Sequence, residues 1–515
     1  MKVNRLFETG MEFLLWLYLI KKKNKLHLIR DRFGVKPLYI YEDDTVIAFA
    51  SEAKVILGWL NEFSINYNSL SQYLWYGNTI AEETLMNGLN KLKPASIVDN
   101  DISNGKISNE EIFWNIPTTN NLLVDETELE ENLTTLFDNA VKRQLISDVP
   151  IGVLLSGGVD SSGIVAVASK YMNGTLDTYS VEYDYNIGGE SELARAAMIA
   201  KKYNTNHHEL KIEAKNITDI FTALVYQYDE PFADAASIPL YQLAKVCAKD
   251  KKVILQGDGG DELFGGYRRY NVLDWLRFWQ IASVIGYKII PNKSWSERMR
   301  RMSFVLNQND NGMRMAYYLT QDVPDKSPYS ILSQAAQQKM RNVNPFQPYM
   351  DLDKKFAAET VVQKMLFTDT SIILPHTYLE KVDKATMLCS VEARVPYLDN
   401  DLAEYILQVP AHVKVKRGEK KYLLIKILKG KVPDEILYGK KRGFDVPYKT
   451  WLKTDLYEFA KQSFSAIDTN ELLDKNNLIT LLDKHKSGIG NYGPLLWKAL
   501  VLTQWLHLYR NKISS

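Results

Sequence analysis

The apolar run Val153-Leu154-Leu155 stops abruptly at Ser156-Gly157-Gly158-Val159-Asp160-Ser161-Ser162, after which Ile164, Val165, Ala168 and Tyr171 resume at helical spacing. Strand, glycine turn and helix in immediate succession are the opening unit of a parallel α/β sheet. Such a turn aims successive backbone N–H groups and a helix N-terminus at one point, where partial positive charge suits a phosphate or pyrophosphate. Ser156, Ser161 and Ser162 add hydroxyl donors. Asp160 is out of place beside an anion unless a divalent cation lies between them, and Mg²⁺ commonly bridges a carboxylate to phosphate oxygens. A glycine-serine turn that merely caps a helix is the plainer reading of the same residues. Neither a G-x-x-x-x-G-K loop followed by Ser or Thr nor a G-x-G-x-x-G after a strand occurs, so kinase-like and dinucleotide readings lose their main support.

A second cluster repeats the design. Val253-Ile254-Leu255 runs into Gln256-Gly257-Asp258-Gly259-Gly260-Asp261-Glu262, with three carboxylates inside five residues. Carboxylates this dense repel one another, and a cation, a basic partner or a raised pKa on one member relieves the repulsion. An acidic helix start favoured by the macrodipole is the structural alternative, and Glu262 suits it well. Two strand ends, each with glycines and an acid, are suited to hold one Mg-pyrophosphate from both sides. A third set comprises Lys381-Val382-Asp383-Lys384, Val391 to Asp399 and Lys440-Lys441-Arg442-Gly443-Phe444. Taken alone, these are solvated charge runs or structural ion pairs.

With 515 residues and 46% hydrophobic content the chain accommodates two or three domains. A net charge of +1 gives no electrostatic reason to expect nucleic acid or an anionic membrane as partner. The two cysteines, Cys247 and Cys389, form no framework and fit a reducing cytoplasm. Phe13 to Ile20 is far short of the ~20 apolar residues that cross a bilayer, and its lysines follow the run instead of preceding it, so it reads as a strand and charged turn.

Short β-like runs occupy Leu26 to Ile29, Leu38 to Tyr41 and Val46 to Ala50, and a helix is expected over Glu52 to Trp59. The turn-rich stretch from Phe113 to Asn121 marks a boundary, placing one domain at residues 1–117 and a second at 118–515. Beyond it come a helix over Glu126 to Lys142, strands at Thr178 to Tyr183, His208 to Ile212 and Lys252 to Leu255, and a helix over Leu193 to Tyr203. From about Val272 the chain reads as mainly helical. Ligands are expected at the carboxyl ends of the parallel strands.

Taken in order, these segments resemble the asparagine synthetase family of the glutamine-hydrolysing, class B type. The resemblance is carried by Arg30-Asp31-Arg32-Phe33-Gly34-Val35-Lys36-Pro37-Leu38-Tyr39, Ser51-Glu52-Ala53-Lys54, the Ser156 to Ser162 loop, Tyr228-Asp229-Glu230-Pro231, Gly257 to Tyr267, Val391 to Asp399 and Lys441 to Phe444. It implies an ATP-pyrophosphatase fold, adenine nucleotide alpha hydrolase-like, with a helical carboxyl-terminal part, joined to part of an N-terminal-nucleophile αββα sandwich. It implies an enzyme in which the side-chain carboxylate of aspartate attacks the α-phosphorus of ATP, giving β-aspartyl-AMP and pyrophosphate, and ammonia then displaces AMP. Carried over by motif, Leu155, Val181, Gln256 and Gly257 border adenosine and the α-phosphate, while Ser156, Gly157, Gly158, Asp160, Ser161 and Ser162 hold pyrophosphate. Asp160 and Asp261 are the expected Mg²⁺ ligands, Lys384 and Lys441 the cations near the reacting phosphates, and Asp258 the proton acceptor, where relatives often carry Glu. The implied partners are aspartate, ATP and ammonia or glutamine, with no nucleic acid or membrane, and with either a homodimer or a separate glutaminase fragment as macromolecular association.

The family's glutaminase uses a Cys directly after the initiator Met. Lys2 stands there, and Cys247 and Cys389 lie inside the synthetase region. No glutaminase nucleophile is therefore expected, and the activity is expected to depend on free ammonia. A sandwich short of strands leaves open edges, so residues 13–117 are expected to be less stable than the rest or to pair with another polypeptide.

Overall fold

The computed structural model describes residues 16–20, 25–44, 46–101, 106–117, 125–183, 192–212, 216–289, 293–320, 327–356, 360–416, 418–439, 446–467 and 472–513. Its amino-terminal part carries β1 (Trp16–Ile20), β2 (Lys25–Ile29), β3 (Tyr39–Glu42), β4 (Ile47–Ala50), β5 (Leu89–Lys91), β6 (Ser96–Asp101) and β7 (Lys106–Ile112). These form two antiparallel sheets of order β1-β2-β6-β7 and β4-β3-β5. Leu28 and Val98 of the first pack with Ile40 of the second and with Leu38 and Leu92 beside it, the inner layer of a sandwich. The second part is built on β8 (Ile151–Leu154), β9 (Asp177–Tyr183), β10 (Asn206–Ile212), β11 (Val253–Leu255) and β12 (Glu392–Arg394), all parallel in the order β10-β9-β8-β11-β12. The runs expected at Leu26, Leu38, Val46, Thr178, His208 and Lys252 each fall on one of these strands.

The order matters more than the count. In such a sheet the chain winds outward in one direction from β8 through β9 to β10, then returns to the other side at β11, so β8 and β11 flank the switch point where ligands bind. Val153 of β8 lies opposite Leu255 of β11. The two glycine turns that follow these residues therefore emerge side by side. Helices Glu126–Gln144, Val159–Tyr171 and Glu192–Lys202 supply Phe137, Val165 and Ile199 to the core on the sheet's flank. Among the described residues no helix is long and apolar enough to cross a membrane.

The amino-terminal part is not left to its own small core. Its helices Ala53–Trp59 and Tyr67–Tyr76 contribute Ile56, Leu57, Leu70, Tyr73 and Leu74 to a cluster shared with Leu224, Trp451, Leu500 and Trp505. Polar links follow the same interface. Asp229, fully buried, accepts hydrogen bonds from the backbone N–H of Ala53 (3.0 Å) and Lys54 (3.2 Å), taking the place of a cap at the helix start. Its carboxylate also pairs with Lys54 at 2.9 Å and Lys384 at 2.6 Å. Lys91 pairs with both Glu230 and Glu380 at 2.8 Å, and Lys36 with Asp383 at 2.8 Å. Two of the family-like motifs are thereby explained as interface. Asp31 accepts the N–H groups of Phe33, Val35 and Lys36 and so shapes the turn that presents Lys36, and Tyr228-Asp229-Glu230 receives the sandwich.

This packing bears on the expectation that residues 13–117 are less stable than the rest or pair with another polypeptide, because two of their helices share the large core. Removing one partner of a buried, multiply bonded ion pair costs about 3–5 kcal/mol. Asp229→Ala, which strands Lys384 and uncaps Ala53–Trp59, should therefore lose about that much stability in urea denaturation. In hydrogen exchange of the unaltered chain, the amides of Tyr67–Tyr76 should be protected to the same level as those of Gly493–Tyr509. Early exchange of the former would return the region to independent unfolding.

Candidate active site

The loop after β8 is held by its own hydroxyls. The Ser156 N–H donates to Ser161 Oγ (3.2 Å), the two serine hydroxyls lie 3.1 Å apart, and Ser161 Oγ donates to the Gly158 carbonyl at 3.3 Å. Gly157 has φ +71, and a Cβ there would lie 2.7 Å from Arg195 Cβ and 2.8 Å from the Glu192 carbonyl oxygen. Only glycine lets this turn lie against helix Glu192–Lys202. Gly158 is the N-cap of helix Val159–Tyr171, leaving the first N–H groups pointing at the loop.

The second turn closes directly on the first. A Cβ on Gly257 would sit 2.8 Å from Asp160 Cβ, and one on Gly260 would sit 2.5 Å from Asp160 Oδ1. Asp160 thus lies against the backbone of the β11 turn. Lys421 reaches between the turns: its Nζ bonds Asp160 Oδ2 and lies 2.7 Å from Asp261 Oδ1. Burial works against the charge on Lys421, but Asp160 and Asp261 outweigh it and hold its pKa above the ordinary lysine range. Asp160 Oδ1 is buried with no hydrogen-bond partner.

The three carboxylates of the turn find two of the kinds of relief expected of them, a basic partner and a raised pKa. Asp261 shares Lys421. Asp258 lies within electrostatic reach of Lys381, which burial disfavours as a cation but which Asp234, 3.1 Å away, and Asp258 keep charged. Glu262 is 2% exposed, accepts a hydrogen bond from Tyr267 and has its pKa pushed up to about 8, first by burial and then by Asp261 and Asp258.

A cavity of about 310 Å³ opens over these turns. Leu155, Ser156, Gly157, Gly158, Asp160, Ser161, Val181, Gln256, Gly257, Asp258 and Asp261 line it, so eleven of the sequence-derived positions come together. Leu154, Leu240, Leu243 and Val382 join Val181 in one apolar cluster, an end suited to a purine ring, while the serines, aspartates and lysines form the other. Ser162 is instead fully buried in its helix and outside the lining. Lys384 does not reach the cavity either; it is 1% exposed and bonded to Asp229. Lys441 lies outside the described residues, although Gly439 lines the rim. Sequence reasoning missed Lys381, Lys421 and Arg195. Lys381 lies in a segment already singled out, one helical turn before Lys384, whereas nothing local marks Lys421 in the basic run from Lys414 to Lys421.

The donor set suits Mg²⁺. Two carboxylates from opposing turns share a cation, one of their oxygens is buried and unbonded, and the remaining ligands of a hard cation in such sites are phosphate oxygens and water. Among the described residues no group of three or more His, Cys, Asp or Glu forms a protein-only metal cage.

Glu262 carries a pH signature. Its folded pKa, about 8, stands above the ordinary 4.5, so the folded chain keeps a proton that the unfolded chain releases. Stability should fall as pH rises through that window. Glu262→Gln, which preserves the acceptor for Tyr267, should remove the dependence, gaining roughly 3–5 kcal/mol on the parent between pH 5 and pH 8.5 at about 1.4 kcal/mol per pH unit. Parallel urea curves for the two proteins at both pH values would refute the assignment.

A family model for asparagine synthase matches residues 132–507, and one for a glutamine amidotransferase domain matches residues 8–114. Asparagine synthetase (glutamine-hydrolyzing) 1 of Bacillus subtilis is 30% identical over 502 residues, covering 96% of this chain and 76% of that protein. Asparagine synthetase (glutamine-hydrolyzing) 3 of the same organism is 27% identical, covering 96% and 78%. Amidase chyE of Penicillium rubens is 25% identical, covering 87% and 71%. Since the first match takes in both cavity turns and the lysines that serve them, the chain belongs to the asparagine synthase family, enzymes of ATP-dependent amidation of the glutamine-hydrolysing ligase type.

Proposed function

We propose that the chain converts L-aspartate to L-asparagine through β-aspartyl-AMP, releasing AMP and pyrophosphate. The observation that carries this reading is the meeting of Asp160 and Asp261 beneath one cavity that is apolar at one end and lined by serines, aspartates and lysines at the other. A carboxylate is inert toward amines at neutral pH, and converting its oxygen into part of a good leaving group is the reason to use ATP. Leu155, Val181, Gln256 and Gly257 border the adenosine. The N–H groups of Gly157 and Gly158, with the hydroxyls of Ser156 and Ser161, hold the β- and γ-phosphates.

Asp160 and Asp261 would hold Mg²⁺, which neutralises charge on the departing pyrophosphate. Lys421, already seated between the two aspartates, adds a fixed positive charge on the same side, as does Lys381 from across the cavity. Lys441 is proposed for the same task on the strength of its motif and of Gly439 at the rim. Lys384 acts at one remove, by pairing with Asp229. Asp258 takes the proton from the attacking ammonia or the tetrahedral intermediate.

The glutaminase-derived region is assigned to residues 1–117 and the synthetase to 118–515, on either side of which the two family matches fall. A polypeptide of this sequence should use free ammonia. Of its two cysteines, Cys247 is buried with its thiol pushed up to about 12 by desolvation, and Cys389 is raised by the same cause. Both free thiols suit a cytoplasmic setting. Amide formation on another carboxylate, such as a cell-surface sugar acid or a β-lactam-type precursor, is the second reading, and a nucleotide-binding remnant that binds ATP without turnover is the third.

With ATP, Mg²⁺, aspartate and ammonium, the purified protein should release pyrophosphate and form asparagine, while glutamine should not replace ammonium. Screening pyrophosphate release across carboxylic acids identifies the acceptor, and strong stimulation by a sugar acid but not by aspartate would overturn the first reading. Asp258→Asn should keep acid-dependent ATP–pyrophosphate exchange yet slow amide formation about 10²–10⁴-fold.

A further inference from the structure

The net charge of +1 conceals a local asymmetry. Residues 275–301 contain Arg277, Lys288, Lys293, Arg298, Arg300 and Arg301 against the single acid Glu297. A stretch carrying a balance of +5 sits in a chain whose remainder is therefore acidic. The same stretch forms helix Leu276–Ile289 and the start of helix Lys293–Leu306, which pack together as a hairpin tied by Gln280 Nε2 donating to the Leu306 carbonyl at 2.9 Å. The inward side accounts for Leu276, Trp279, Met302 and Leu306, all in one cluster with Tyr270 and Met315.

The outward side does not behave like ordinary surface. Trp275 (60% exposed), Phe278 (58%), Ile281 (65%), Ile285 (51%) and Ile289 (72%) face solvent, and Trp295 (52%) adds to them from the second helix. At 100° per residue, Phe278, Ile281, Ile285 and Ile289 fall within an arc of about 80°, with Arg277 and Lys288 together along one border of it and Trp275 just ahead of the helix. Scattered exposed apolar residues need no explanation, but a contiguous stripe of this size on one helix does. Large aliphatic and aromatic side chains with basic residues along the edge, on a helix too short and too charged to span, are the pattern of a helix lying in the plane of a lipid interface.

We propose that this hairpin docks the protein on an anionic lipid surface, its apolar stripe entering the headgroup boundary while Arg277, Lys288 and Arg298 meet lipid phosphates. Arg277 and Lys288 along one border match the charge of an anionic surface, and a second copy of the chain as occupant is an outcome of the test below. The surface is remote from the nucleotide cavity in its residues: none of the stripe lines it. Docking is peripheral and reversible, which agrees with the lack of a spanning helix among the described residues.

The test is co-sedimentation of the full chain with vesicles of phosphatidylcholine alone or with about 30% phosphatidylglycerol, at low and at about 0.5 M salt. Retention should be at least about five-fold higher on the anionic vesicles at low salt and should fall at high salt. The pair Phe278→Ser/Ile281→Ser should abolish it, and Arg277→Glu/Lys288→Glu should reduce it to the level of neutral vesicles, with thermal midpoints unchanged as a check that both variants fold. Equal retention on both vesicle types, no retention, or retention by the stripe variant overturns the proposal. So does a dimer in sedimentation velocity that Phe278→Ser/Ile281→Ser dissociates, since the stripe then belongs to a second copy.

Discussion

Asp160 and Asp261 stand more than a hundred residues apart in the chain, yet they share one lysine because the turns that carry them leave neighbouring parallel strands. Parallel pairing of β8 with β11 puts both turns on the same sheet edge, and the switch of winding direction there leaves a crevice that no crossover helix covers. The remaining features of the cavity follow from this adjacency. Glycines at 257 and 260 let the second turn press onto Asp160. Lys421 must come from elsewhere, because two carboxylates so near each other require a cation between them.

Much of this was legible in the chain because it is encoded locally. Strand, glycine turn and helix succeed one another within a dozen residues around Ser156, and again around Gly257, so periodicity and turn chemistry suffice. Strand β12 was not readable that way. It is three residues long and begins and ends on charges, Glu392 and Arg394, so it qualifies as a strand only through its register with Val253 and Leu255. Helix Tyr67–Tyr76 also escaped; its buried serines and glutamine blur the apolar pattern that a helix in a shared core presents. The shared core was invisible for a related reason. Tyr73 and Trp505 are hydrophobic wherever they are packed, and only the fold shows that they lie in one cluster.

The lysines show where reasoning from sequence runs out. Lys381 and Lys384 are three residues apart on helix Glu380–Met387, about 60° around its axis. That rotation separates a residue facing the nucleotide cavity from one facing the amino-terminal part, and no property of either side chain says which is which. Lys421 was harder still. Its Cα adopts φ +56, an unusual backbone state for a non-glycine residue, at the entrance to helix Tyr422–Leu428. The strain and the buried charge are both tolerated because two aspartates require the ammonium there, a fact of tertiary structure alone.

Helix Glu380–Met387 has a consequence for how such proteins diverge. Glu380 and Asp383 are bound to Lys91 and Lys36 of the amino-terminal part and Lys384 to Asp229, while Lys381, about 60° around the axis from Lys384, lines the cavity. The orientation of a lysine that lines the cavity is thus tied to salt links with the sandwich. Exchanging the amino-terminal part between relatives would import foreign partners for two largely buried charges at once, Glu380 and Asp383, and a chimera of two competent parents should be repaired by compensating changes on this single helix.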